Sequence, residues 1–255
     1  MRAAQVRPDG TMIRWVELPG AEPARVYVHG LGSSSPPYYA AAATHPALAG
    51  HRSLLIDLLG FGISDRPTGF DYTLEGHADL LAEALTQANV ESVDVIGHSM
   101  GGAVAILLAS RHPHLVARLV LVDACLDPIT PDQGTIHWKM TGRSEQEFLA
   151  EGWEQALELA GPHWAATMRL AGRQALYRSM VDLTRRGTGP TMRQILLGLP
   201  MPRTFLYPAA HGRFPGEAEL LAGGIRVVAI PDCGHNIMID NVDGFAHAVR
   251  AALPG

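Results

Sequence analysis

The segment Gly97-His98-Ser99-Met100-Gly101 constrains this chain more than any other. It follows a short apolar run, Val93-Asp94-Val95-Ile96, and precedes a helix-like run from Gly102 to Ser110. A strand that stops at a serine and restarts at once as a helix must turn sharply. Such a turn strains the serine backbone and exposes its hydroxyl at the end of a sheet, while glycines two residues to either side let neighbouring backbone pass close by. Gly-x-Ser-x-Gly is short and also occurs in ordinary turns, so its meaning depends on what the rest of the chain supplies.

The rest of the chain supplies an alternation. Strand-like runs occur at Met12–Leu18, Arg25–His29, Ser53–Asp57, Ser92–Ile96, Arg118–Asp123, Arg203–Tyr207 and Arg226–Ile230. Several are continuously apolar, as strands covered on both faces must be. Helical patterns lie between or after them at Pro37–Ala49, Leu74–Ala88, Met100–Arg111 and Val242–Ala252. This order predicts an α/β fold, a mostly parallel sheet with helices on both faces.

From about Leu126 to Pro202 no strand pattern appears. Ser144-Glu145-Gln146-Glu147 reads as a capping box, and Phe148–Leu159, Trp164–Leu170 and Gln174–Arg185 have helical spacing. The expected organisation is therefore a core of residues 1–125 and 203–255 with a helical cap inserted at 126–202. The insertion is rich in tryptophan and methionine. Trp138, Trp164 and Met168 are the expected lining of a ligand cavity beneath it, with packing against the core as the alternative for each.

Composition narrows the partners. A chain of 255 residues with 47% hydrophobic and 18% charged residues is ordinary for one globular domain with an insertion. The formal net charge of −5 offers no basic stripe for nucleic acid or acidic membrane, so a small-molecule substrate is the expected partner. Cys125 and Cys233 have neither metal-ligand spacing nor the density of a disulfide framework, and read as free thiols. No signal-peptide pattern and no run of about 18 apolar residues is present, and the expected location is the cytoplasm.

Acyl transfer by a serine needs a base, a group that orients the base, and backbone donors for the developing oxyanion. Among twelve histidines, His235 stands out. It lies just past the last strand, in Pro231-Asp232-Cys233-Gly234-His235-Asn236, on the sheet edge that carries Ser99. The expected oxyanion donors are the amide of Met100, which opens the next helix, and that of Leu31 in the glycine-rich loop His29-Gly30-Leu31-Gly32-Ser33.

These residues, with Asp57-Leu58-Leu59-Gly60-Phe61-Gly62-Ile63-Ser64-Asp65 and Gly234-His235 followed by Phe245, make the chain resemble the α/β-hydrolase superfamily, in its serine-nucleophile branch with a helical cap. The resemblance implies the α/β-hydrolase fold with an eight-stranded sheet, a nucleophile–acid–histidine triad, and no cofactor or metal. It does not name the substrate.

The chain departs from that pattern at the acid. Most relatives carry it just after the strand that follows the cap, where this chain reads Tyr207-Pro208-Ala209-Ala210-His211-Gly212, without a carboxylate. A minority carry it after the strand preceding the cap, and there Asp123 is available. Asp127, Glu217, Glu219 and Asp232 are alternatives, as is a triad without an acid. Asp57 and Asp65 are expected to bond loop amides rather than take part in chemistry. The leading expectation is hydrolysis of a carboxylic ester, thioester or lactone through an acyl-enzyme on Ser99. A non-hydrolytic acyltransferase, cyclase or lyase and a receptor-like binding protein are the alternatives.

Overall fold

The computed structural model describes residues 1–129, 140–184 and 189–253. Eight strands form one sheet in the order β1-β2-β4-β3-β5-β6-β7-β8, with β1 (Arg2–Gln5), β2 (Met12–Leu18), β3 (Ala21–Val28), β4 (His51–Asp57), β5 (Val93–His98), β6 (Val116–Val122), β7 (Arg203–Pro208) and β8 (Arg226–Ile230). β1 and β2 pair antiparallel, β2 pairs antiparallel with β4, and every other neighbour is parallel. All strands from β3 to β8 therefore point their C-terminal ends at one edge.

The apolar runs serve two cores. Val26, Val28, Val95, Leu119 and Leu121 face one, while Tyr27, Ile96, Val120 and Val122 face the other. Alternate residues of a strand point to opposite faces, so a strand buried on both sides must be apolar throughout. Helices α2 (Leu74–Gln87) and α3 (Met100–Arg111) contribute to the first core. Helices α1 (Ser35–Ala43) and, near the C-terminus, Val242–Ala252 contribute to the second.

Several bounds shift by a few residues, β3 most, which starts at Ala21 rather than Arg25, and two further differences have a clear cause. β1 is an edge strand with only Ala4 buried, so it has no apolar run to betray it. α1 stops at Ala43 rather than reaching Ala49, because Pro46 lacks the N–H and the space that a continuing helix requires.

Between β6 and β7 every described element is a helix or helical turn. The Ser144/Glu147 capping box is formed, with Ser144 N–H on Glu147 Oε2 at 2.8 Å and Glu147 N–H on Ser144 Oγ at 3.3 Å. It starts a turn at Glu145–Glu147 that runs through a wider turn, Phe148–Gly152, into α4 (Trp153–Met168). α5 (Arg173–Thr184) and α6 (Met192–Leu197) follow. Inside α4, Gly161 has φ 69° and ψ 171° and Pro162 follows it, so the helix breaks there. A non-glycine residue is rarely found in that conformation. The break turns Trp164 toward the core, where its indole Nε1 donates to the Leu31 carbonyl at 2.8 Å. No described helix is long and apolar enough to cross a membrane.

Candidate active site

Ser99 occupies the turn between β5 and α3 with φ 52° and ψ −119°. A residue with a side chain in that region costs roughly 1–3 kcal/mol and persists only where its surroundings impose it. The surroundings are visible. Ser99 N–H donates to Val122 O at 3.0 Å, and Ser99 O accepts from Gly102 N–H at 3.0 Å and from Cys125 N–H at 3.3 Å. The turn is thus tied to the end of β6 as well as to its own helix. Gly101 is required by close approach, since a Cβ there would overlap the His29 carbonyl and stand 2.6 Å from the Val28 oxygen.

Sheet register places Asp123 beside Ser99. His98 pairs with Val122, so the next residue on each strand, Ser99 and Asp123, leaves the sheet side by side. Asp123 also has a positive φ, 42°, and its N–H donates to Leu206 O of β7 at 2.8 Å. The loop after β8 then reaches past the end of β7, and His235 Nδ1 meets Asp123 Oδ2 at 2.7 Å. The bond fixes the tautomer: with Nδ1 donating to the carboxylate, Nε2 is left as the acceptor. Asp123 is mostly buried, while the His235 ring is about half exposed (52%).

Of the other carboxylates, Asp232 is exposed and has no side-chain partner among the described residues, and the rest are engaged elsewhere. Asp127 accepts from Arg193 Nε at 3.0 Å, and Glu217 pairs with Arg213 at 3.0 Å. Glu219 lies 3.8 Å from Arg193. Asp57 is fully buried and accepts from Ser35 N–H (2.7 Å), Ile63 N–H (2.9 Å) and Ser34 Oγ (3.0 Å). Asp65 accepts from Met12 N–H at 2.8 Å. Asp57 holds its loop to the start of α1, and Asp65 holds the same loop to β2.

The glycine-rich loop after β3 is held from inside by His29. Leu58 N–H donates to His29 Nε2 at 3.0 Å, so the ring proton sits on Nδ1, which donates to Gly30 O at 2.7 Å. Burial holds the His29 pKa below its ordinary value and keeps the ring neutral. Gly30 O also accepts from Ser33 N–H at 3.1 Å. In a trans peptide the N–H points opposite to the C=O, so anchoring Gly30 O turns the Leu31 N–H away from the loop interior. Met100 opens α3, where the first N–H groups have no intrahelical acceptor.

Two contacts at the site have no signal in the sequence. His98, read as a packing residue, donates from Nε2 to the His235 carbonyl at 2.9 Å, and the two rings lie 4.6 Å apart. Burial and then the His235 charge hold its pKa well below the ordinary range, so it acts as a neutral clamp on the histidine loop. Cys125 Sγ lies 3.8 Å from Ser99 Oγ. Burial raises its pKa to about 11, which keeps it a neutral thiol at neutral pH. The serine hydroxyl pairs with this thiol in the structure rather than with the imidazole.

A cavity of about 380 Å³ opens over Ser99, lined by Gly30, Leu31 and Tyr38 on one side and by Ala160, His163 and Trp164 of the insertion on the other. His235 and Asn236 close it. Trp164 therefore lines the cavity. Met168 is not among its lining residues: it is fully buried and packs against the Gly32 backbone, where the helix after the break has turned inward. Trp138 lies outside the described residues. Three larger surface clefts contain neither Ser99 nor His235, although one of them reaches Asp123 from its far side. Among the described residues no group of three or more His, Cys, Asp or Glu is arranged to hold a metal ion.

A sharp turn bearing a serine, a histidine held by a carboxylate, and a strand order of 1-2-4-3-5-6-7-8 define an α/β-hydrolase architecture. The chain belongs to the alpha/beta hydrolase fold family, which matches residues 25–170. It is similar to an uncharacterized protein of Mycobacterium tuberculosis, 37% identical over 112 residues, which is 44% of this chain and 32% of that protein. The match thus spans about a third of that relative's length. A mouse sn-1-specific diacylglycerol lipase is 26% identical across 98% of this chain and 87% of its own. Among solved structures, a thermophilic esterase from Thermogutta terrifontis superposes with a TM-score of 0.77 at 21% identity, covering 99% of this chain and 98% of that one.

Proposed function

We propose that the protein is a serine hydrolase that cleaves a small carboxylic ester, thioester or lactone through an acyl-enzyme on Ser99. The observation that carries this reading is the 2.7 Å bond from His235 Nδ1 to Asp123, which leaves Nε2 as a proton acceptor at the cavity that holds Ser99. Family membership and the similarity to a lipase across nearly the whole chain support it.

In this reading the Ser99 hydroxyl leaves Cys125 by rotation about χ1 and attacks the acyl carbonyl. His235 Nε2 takes its proton, and Asp123 stabilises the imidazolium that results. The carbonyl oxygen becomes an oxyanion between the N–H groups of Leu31 and Met100, each worth about 3 kcal/mol to the barrier. Collapse breaks the bond to the leaving oxygen or sulfur, which takes the proton from His235 and departs as an alcohol or thiol or, for a lactone, stays on the acyl group as a hydroxyl. Water, deprotonated by the same nitrogen, then attacks the acyl-enzyme, and the acid leaves as Ser99 recovers its proton.

The test is direct. A fluorophosphonate probe is expected to label Ser99, as read by peptide mass spectrometry, and Ser99→Ala is expected to lose both labelling and hydrolysis of short p-nitrophenyl esters. Absence of labelling together with absence of turnover in the wild-type protein would overturn the proposal.

A further inference from the structure

The cavity over Ser99 has polar hydroxyls where a purely apolar pocket would need none. Ser33 and Tyr38 line it, are each only 4% exposed, and have no hydrogen-bond partner for their hydroxyls among the described residues. Their neighbours differ. Tyr39 OH donates to Val28 O at 3.3 Å, Ser34 Oγ to Asp57 at 3.0 Å, and Ser35 Oγ to Ile56 O at 2.6 Å. Unlike the enclosed Tyr27 hydroxyl, those of Ser33 and Tyr38 remain accessible, so the partner they take is whatever enters the cavity they line.

The opposite wall adds His163. It stands two residues past Gly161, where the break in α4 redirects the chain, and its ring centroid lies 6.1 Å from that of Tyr38. No Asp, Glu, Lys or Arg is among the lining residues. The Tyr38–His163 pair therefore bridges core and insertion with hydrogen-bonding groups and without a fixed charge.

We propose that Tyr38 and His163, with Ser33, select an ester carrying a second oxygen function, a hydroxyl, carbonyl or carboxylate, away from the scissile bond. This rests on the ester-hydrolase reading of Ser99. The physical basis is displacement: accessible hydroxyl and imidazole groups are hydrogen-bonded to solvent, and an apolar substrate group that covers them removes those bonds without replacing them. A substrate oxygen restores them. At 380 Å³ the cavity suits a substrate of that modest size.

The experiment compares kcat/KM within isosteric pairs: methyl 3-hydroxybutanoate against methyl 3-methylbutanoate, and monomethyl succinate against methyl 4-methylpentanoate. The wild-type protein is expected to favour the oxygen-bearing member of at least one pair by about tenfold, the size of one or two hydrogen bonds. The pair that shows the preference distinguishes a neutral from an anionic oxygen. In Tyr38→Phe and His163→Phe the ratio is expected to fall by about fivefold, and comparing variants on the same pair cancels intrinsic reactivity. His114→Phe, at an exposed position off the cavity, is expected to keep the wild-type ratio. If Tyr38→Phe fails to fold, Ser33→Ala carries the same expectation. Preference for the all-hydrocarbon member in both pairs, or ratios unmoved by these substitutions, would overturn the proposal. If no ester turns over, calorimetric binding of the same pairs to Ser99→Ala reads the selectivity independently, and equal affinities there would overturn it.

Discussion

Replacing Asp123 by Asn tests the site at the member whose position departs from the usual family pattern. The native bond is 2.7 Å, charge-assisted and mostly screened from solvent on the carboxylate side. Two losses are expected. First, the carboxylate no longer stabilises the imidazolium: charges about 4 Å apart at an effective dielectric near 20 attract by about 4 kcal/mol, and we take about 3 because the half-exposed ring is partly screened. Second, an Asn amide donating to Nδ1 leaves the ring proton on Nε2, where it blocks acceptance of the serine proton. Together these predict a fall in kcat of about 10³–10⁴ with little change in KM, or about 4–5.5 kcal/mol of barrier. The assay is steady-state hydrolysis of p-nitrophenyl butanoate at neutral pH, with thermal melts confirming an unchanged fold. Asp127→Asn, which removes the partner of Arg193 instead, is expected to stay within about tenfold of wild type. The reasoning is refuted if Asp123→Asn keeps more than a tenth of wild-type turnover, or if Asp127→Asn suffers the larger loss.

Gly101→Ala places a Cβ against the carbonyls of Val28 and His29, backbone that cannot swing aside as a side chain would. A loss of about 2–3 kcal/mol is expected, seen as a fall in Tm of roughly 4–10 °C; a shift below about 2 °C would contradict the contact. Acid is expected to destabilise the protein through its buried histidines. Burial lowers the pKa of His77 from the ordinary 6.5 to about 3, and lowers those of His29 and His98 as well. Below about 6.5 the unfolded chain binds protons that the native state refuses, so stability falls as pH drops, by about 2 kcal/mol at pH 5 for His77 alone. Urea midpoints measured between pH 7 and 5 should decline, and less steeply in His77→Gln; an identical slope in that variant would remove His77 from the account.

Much of the fold was legible because its signals are local. Apolar runs mark the strands that are buried on both faces, and β2, β8, α3 and the C-terminal helix have the bounds that the pattern gives them. β1 was not legible, since one buried alanine makes no pattern. In the insertion the capping box could be read from four residues, whereas the inward turn after Gly161 could not, and that turn puts Trp164 at the cavity and Met168 in the packing.

The candidate site divides in the same way. The turn at Ser99 is contiguous, so its glycines and the strand–helix change state its geometry within a dozen residues. The partners of Ser99 come from far along the chain. Asp123 and His235 are 112 residues apart and meet only because β6, β7 and β8 lie side by side and parallel, so that the loop after β8 can cross the end of β7. The same arrangement sends Asp127 to Arg193 and brings Cys125 against the serine hydroxyl. By itself the sequence determined the strands buried on both faces, the sharp turn and the residue it presents, because these depend on neighbours in the chain. Which carboxylate meets the histidine, and which side chains wall the cavity, depended on strand order and helix direction, which only the tertiary structure decided.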